Sequence, residues 1–170
     1  MWRNYHAAIS IEHALQLLEQ HGSRARVIAG GTDILIELER KIRPDVDTLI
    51  DISRVPGLDG IALDGKGMLR LGPLVTHNRC AASAIIREQA LPLAHACWEV
   101  GAPQIRNRGT VVGNLITASP ANDTITPLMA MDAAVTLRSA DGERVLPLSQ
   151  FYRGVRSTVM RPNELLTEIA

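Results

Sequence analysis

Apolar and polar positions along this chain fall into two textures, one before about residue 60 and one after it. Near the start, Ile11, Ala14, Leu15 and Leu18 recur at helical spacing, with Ser10 placed to cap the helix and Gly22 to end it. His13 and His21 fall towards its polar side, where solvation is expected. The apolar run Val27 to Ala29 predicts a strand leading into Gly30-Gly31-Thr32-Asp33, and "DILIELERK" then reads as a second amphipathic helix. Pro44 breaks the chain, and "DTLIDI" reads as another short strand. Residues 1–58 are thus expected to form a small β-α-β-like lobe.

The second texture, over residues 59–170, begins with two short apolar runs flanking "DGKG", a hairpin signal. "VTHNRCAASAIIREQ" and "LPLAHACWEVG" read as helices, the first capped by Thr76 and the second closed by Gly101. "PLMAMDA" predicts a short helix with its methionines in the core. "AAVTLRSADGERVLPL" predicts a hairpin turning at Asp141-Gly142, "SQFYRG" a helix, and "ELLTEI" a final strand. The class is α+β with two lobes.

Composition narrows the function. Eighteen basic and eighteen acidic residues cancel, and aromatics are only 3%. That leaves no electrostatic footprint or stacking platform for nucleic acid. No apolar run approaches the roughly 20 residues of a membrane helix, and the start lacks a secretory leader, so a cytoplasmic protein without membrane insertion is expected. Cys80 and Cys97 form neither a disulfide framework nor metal-ligand spacing. His77 lies three before Cys80 with no further ligand type beside it, so a histidine near a cap and a small buried cysteine are the expected roles, with no metal site.

Two glycine-rich stretches carry the candidate chemistry. In "VIAGGTDILIE" a strand, a glycine turn and a helix start would aim consecutive N–H groups to one side, a disposition suited to phosphate. The competing reading is a plain strand-to-helix turn capped by Thr32 or Asp33. Neither a Walker loop nor a G-x-G-x-x-G fingerprint is present. In "GTVVGNLITASPANDT", Gly109 and Gly113 permit close approach, and Thr110, Asn114, Thr117, Ser119 and Asp123 offer short polar groups. Pro120 argues against regular structure there. The Asp123 carboxylate would repel phosphate but suits a sugar hydroxyl. Pyrophosphate and ribose together suggest a dinucleotide held between the lobes. Ser119 has no motif-linked histidine, and no acidic pair stands out, so no catalytic side chain is named.

"VIAGGTDILIE" and "VGAPQIRNRGTVVGNLITASPANDT", followed by "MRPNELLTEIA", resemble the FAD-binding (medium) subunit of the molybdenum hydroxylases, the xanthine dehydrogenase and carbon monoxide dehydrogenase relatives. The resemblance spans essentially the whole chain. It implies FAD between a small N-terminal α/β lobe and a larger lobe with an antiparallel or mixed sheet plus helices. It also implies that Ile28, Ala29, Gly30, Gly31, Thr32, Asp33 and Ile34 cradle the pyrophosphate. Gly109, Thr110, Gly113, Asn114, Thr117, Ser119 and Asp123 would complete the cofactor contacts, and Leu165 would lie against the flavin ring. Family subunits continue into a small C-terminal domain, which the resemblance implies is absent from this chain.

One position departs from the family. Val112 stands where T-I-G-G-N is usual; either that position is extended in the family, or the loop is altered here. The function implied is electron transfer. FAD would receive electrons from iron–sulfur (2Fe–2S) clusters on a small partner subunit, fed by a molybdopterin-binding large subunit, and reduce NAD, oxygen or a quinone. Two cysteines are too few for such clusters in this chain. The alternative is a scaffold subunit of the same fold that no longer binds FAD.

Overall fold

The computed structural model describes residues 2–170. The chain opens with β1 (Asn4–Ala7), α1 (Ile11–His21), β2 (Ala25–Ile28), α2 (Ile34–Glu39) and β3 (Thr48–Asp51). The strands form a parallel sheet in the order β1-β3-β2, with Tyr5 and Arg26 both opposite Leu49. Parallel strands need crossovers, and α1 supplies the first. Its cap is as expected: the Ser10 hydroxyl accepts the His13 N–H at 3.1 Å, and Gly22 closes the helix at φ 54°. Ala14, Leu15 and Leu18 bury against Ile50, Ile52 and Leu58. The sequence reading missed β1, which is only four residues long and mostly exposed. His21 also departs from expectation: its Nε2 is enclosed without a partner and its ring stacks on His6 at 5.3 Å.

Next come β4 (Ile61–Leu63), β5 (Leu69–Leu71), α3 (His77–Ala82), α4 (Ala84–Gln89), α5 (Leu91–Glu99), α6 (Pro103–Arg108), α7 (Val111–Thr117) and α8 (Ile125–Ala130). The chain then returns through β6 (Ala134–Ser139), β7 (Gly142–Pro147), β8 (Tyr152–Gly154), β9 (Ser157–Thr158) and β10 (Leu165–Ile169). The second sheet has the order β4-β5-β10-β6-β7 and is antiparallel throughout. Its main core gathers Phe151, Leu93, Leu115, Leu137 and Leu166. The first hairpin turns where expected; the second turns one residue earlier than expected, at Ala140-Asp141, with Gly142 at φ 143° already paired with Ser139.

Four local expectations are corrected. The helix predicted over 75–89 is broken at Ser83, whose backbone is extended and whose hydroxyl starts a new helix by accepting the Ile86 N–H at 3.4 Å. "SQFYRG" is only a short 3-10 turn at Leu148–Gln150 before β8, because Phe151 must turn inward to the core. The helix predicted at "PLMAMDA" starts earlier, at Ile125, and buries Leu128. Met129 and Met131 are 39% and 37% exposed. The stretch expected to be irregular after Gly109 contains α7.

The two cores meet on β10. Alternate residues of a strand face opposite ways, so Leu165 packs into the α1 cluster while Leu166 packs into the main core.

Candidate dinucleotide cleft

After β2 ends at Ile28, the chain turns through Ala29 to Asp33 before α2 begins. Gly31 sits at φ 77°, a conformation that costs little only for glycine. No backbone N–H from Gly30 to Ile34 donates a hydrogen bond among the described residues. Asp33 occupies the cap position of α2 but makes no capping bond; its carboxylate instead accepts from the Thr32 hydroxyl at 3.5 Å. The capped-turn reading therefore fails. What remains is a concavity of unpaired N–H groups, the arrangement that holds anions.

The second stretch is built differently. α6 ends at Arg108, and Thr110 caps α7 by accepting the Gly113 N–H at 2.9 Å. Thr110 also bridges to Thr76, flanked by the His77 N–H on Gly109 O and the Val111 N–H on Val75 O, both at 3.0 Å. The Thr117 hydroxyl donates to Gly113 O at 2.9 Å. The Asn114 carboxamide oxygen accepts the fully buried Thr124 hydroxyl at 2.5 Å, which leaves the amide N–H₂ free to donate. Val112 is helical and 4% exposed, with its side chain in the main core, so no positive φ is asked of it.

The two stretches touch backbone to backbone. A Cβ on Gly30 would lie 2.0 Å from Arg108 O and 3.0 Å from Gly109 Cα. Only glycine allows that approach. Beside this contact opens a cavity of about 590 Å³, within the size range of small-molecule sites. Every expected site residue lines it except Ile28 and Ser119. Ile28 packs against the small cluster of Leu38, Val46 and Leu49, and the Ser119 hydroxyl accepts the Ala121 N–H at 3.3 Å in a turn.

Sequence reading missed several charged groups in the wall. Glu37 is buried between Arg43, whose Nε donates at 2.5 Å, and Arg156, whose Nη1 donates at 3.2 Å. Arg156 belongs to the β8–β9 hairpin, so this pair ties the second lobe across to α2. Arg26 donates to Ser23 O at 3.0 Å and Ala25 O at 2.6 Å. Burial lowers its pKa, Arg43 lowers it further and Glu37 opposes this; as a guanidinium it stays charged. Burial would raise the carboxyl of Glu164, but the bidentate bonds from Arg144 at 2.7 and 2.9 Å and the Arg161 N–H hold it below the usual value. A spacing pattern cannot flag these residues, because each comes from a different element.

The wall thus has three chemistries: unpaired N–H groups at Gly30–Ile34, hydroxyl-compatible groups around Asn114 and Asp123, and an apolar side with Val27, Ile52 and Leu165. These fit a pyrophosphate, a sugar or polyol, and a flat ring. The sequence pattern of the FAD binding domain in molybdopterin dehydrogenase matches residues 2–170. The chain belongs to that family.

As a member of this FAD-binding-domain family, the chain is similar to the 6-hydroxypseudooxynicotine dehydrogenase complex subunit alpha of Paenarthrobacter nicotinovorans, 38% identical over 98% of this chain and 55% of that protein. It is also 34% identical to the carbon monoxide dehydrogenase medium chain of Hydrogenophaga pseudoflava, over 97% of this chain and 57% of that one. The solved structure of the Hydrogenophaga pseudoflava carbon monoxide dehydrogenase lacking the Mo-pyranopterin moiety superposes with a TM-score of 0.92, covering 99% of this chain and 58% of that chain. This family member therefore spans somewhat over half the length of such relatives. Among its described residues, no helix is long and apolar enough to cross a membrane, and no cluster of three or more His, Cys, Asp or Glu could hold a metal.

Proposed function

We propose that this chain holds FAD in the cleft between its two glycine-rich stretches and serves as the electron-transfer flavoprotein part of a molybdopterin-dependent dehydrogenase. The observation that carries the reading is the row of unpaired N–H groups at Gly30–Ile34, set where Gly30 meets Arg108 and Gly109. On this reading lobe 1–58 supplies the pyrophosphate wall and lobe 59–170 the wall facing the sugar and the ring. Gly30, Gly31, Thr32 and Asp33 present N–H donors to the pyrophosphate, and Asn114 and Asp123 meet hydroxyl groups. Leu165, buried at the junction of the two cores, gives the ring an apolar floor. Bound FAD supplies one- and two-electron redox chemistry. The protein binds it, orients it and excludes water; no side chain here is assigned to proton transfer.

A molybdopterin-binding large subunit and a 2Fe–2S small subunit are the proposed partners, with NAD, oxygen or a quinone as the final acceptor. The chain's place is the cytoplasm. Titrating the purified chain with FAD, followed by flavin fluorescence and calorimetry, tests the reading. One-to-one saturable binding is expected; a chain that leaves flavin fluorescence unchanged sinks it. Val112 was one of two grounds for the scaffold alternative, and its buried helical setting speaks against that ground alone.

A further inference from the structure

Three side-chain polar atoms among the described residues are enclosed without a partner: His21 Nε2, His77 Nδ1 and Tyr152 OH. Of these residues, only His77 lines the cavity. It is 2% exposed and sits at the start of α3 directly behind the second stretch. A Cβ on Gly109 would be 3.2 Å from its Cδ2 and 3.5 Å from its Nε2. Its backbone N–H is committed to Gly109 O, yet its ring makes no hydrogen bond among the described residues. Leaving a buried donor or acceptor unmade is costly, so such groups in folded proteins usually have a partner.

The charged neighbours narrow what that partner is. Arg106 lies close enough to act on the imidazole, but its guanidinium donates to Val100 O at 3.2 Å, Gly101 O at 3.0 Å and Asn78 Oδ1 at 3.3 Å. It also stacks on Trp98 at 4.7 Å. Arg106 is therefore spoken for. Asp123 is the other charged group near the imidazole and itself lines the cavity. A neutral imidazole offers one donor and one acceptor. A hydroxyl can meet either, whereas a phosphate oxygen can only accept and favours the cation that burial disfavours.

We propose that His77 is a cofactor-binding residue whose Nε2, unbonded yet not enclosed as Nδ1 is, hydrogen-bonds a sugar or ribityl hydroxyl of the bound dinucleotide, with Asp123 marking the same polyol end of the cleft. This rests on the FAD reading above.

The test uses the full chain labelled with ¹⁵N-histidine and FAD as the probe, with His77→Gln to assign the signal among the five histidines. Saturation with FAD is expected to move a His77 ring-nitrogen resonance. His77→Leu is expected to weaken FAD binding about tenfold, the loss of one hydrogen bond, while the FAD-free chain melts no lower than the unmutated one. His77→Gln, which keeps a donor and an acceptor, should recover part of that affinity. A His77 resonance unmoved at saturating FAD overturns the proposal while leaving the FAD reading intact, and so does equal affinity loss in the Leu and Gln variants. No FAD binding by the unmutated chain overturns both. The resonance measurement decides even if His77→Leu fails to fold.

Discussion

The two glycine-rich stretches line one cleft but are opposite in construction. Around Gly30 and Gly31 the backbone donors are left free, and the turn is held by its contact with Arg108 and by the apolar neighbours of Ile28. Around Gly109 and Gly113 nearly every polar group named above is spent internally: Thr110 on Gly113, Thr117 on Gly113 O and Thr124 on Asn114. On the proposed reading the first is a preformed receptor for negative charge. The second is a rigid frame whose unpartnered groups, among the described residues, include the Asn114 amide, Asp123 and the backbone N–H groups of Thr110 and Val112. On the proposed reading, binding polarity comes mainly from backbone on one wall and from side chains as well as backbone on the other, and substitutions on the two walls should behave differently.

The largest effect is expected at the point where the walls touch. Gly30→Val would drive a side chain into the Arg108 carbonyl, a backbone atom that cannot swing away. Urea unfolding should show a stability loss of at least about 3 kcal/mol, the upper range of overpacking, together with loss of FAD binding. Retained stability would mean the two stretches are not in contact.

Gly31→Val separates binding from folding. Its φ of 77° strains a branched residue, but the nearest obstacles are the side-chain tips of Ile28 and Leu35 at 3.2 Å, which can shift. Strain of about 1–3 kcal/mol should leave a folded chain by circular dichroism, with FAD affinity reduced by at least about a hundredfold. Unchanged affinity would remove the first stretch from the site.

Acid sharpens the comparison from the other wall. Burial, reinforced by Arg106 and opposed by Asp123, pulls His77 down from 6.5 to about 4. The unfolded chain, with its ordinary histidine, therefore binds the proton first. The stabilising contribution is complete above pH 6.5 and is lost as pH falls towards 4, amounting to at most about 3 kcal/mol. Stability of the FAD-free chain against pH should fall over that window, and the fall should flatten in His77→Leu. A profile that is the same in both proteins contradicts the buried neutral imidazole.

The smallest effect is expected for Asp123→Ala. The residue is exposed on its outer side, so stability should stay put while FAD binding weakens by roughly 1–3 kcal/mol, one hydrogen bond to a charged group. Calorimetry reads both.

Legibility followed the range of the interactions. Helix α1 and both hairpins were readable because their determinants, Ser10 and Gly22 or Asp141 and Gly142, lie within a few residues of what they control. Strand β1 was not, since Asn4–Ala7 owes its extended form to pairing with Thr48–Asp51. Pro120 misled in the second stretch: it lies beyond the end of α7, and the cap that starts the helix is Thr110. Of the cleft, the glycines and short polar side chains were visible as motifs. Glu37, Arg43, Arg156 and His77 were not, because they reach the cavity from α2, the segment after it, the β8–β9 hairpin and α3.

The sequence by itself determined the α+β class, the two textures, the family and the two stretches that border the cleft, because periodicity, turn chemistry and contiguous motifs are local. Tertiary structure alone decided that Gly30 is a contact glycine and that five N–H groups are left without acceptors. It alone decided that Val112 is at home in a helix and that His77 has a buried nitrogen with nothing to bond. Each of those facts depends on what a distant segment brings, or fails to bring, within hydrogen-bond or van der Waals reach.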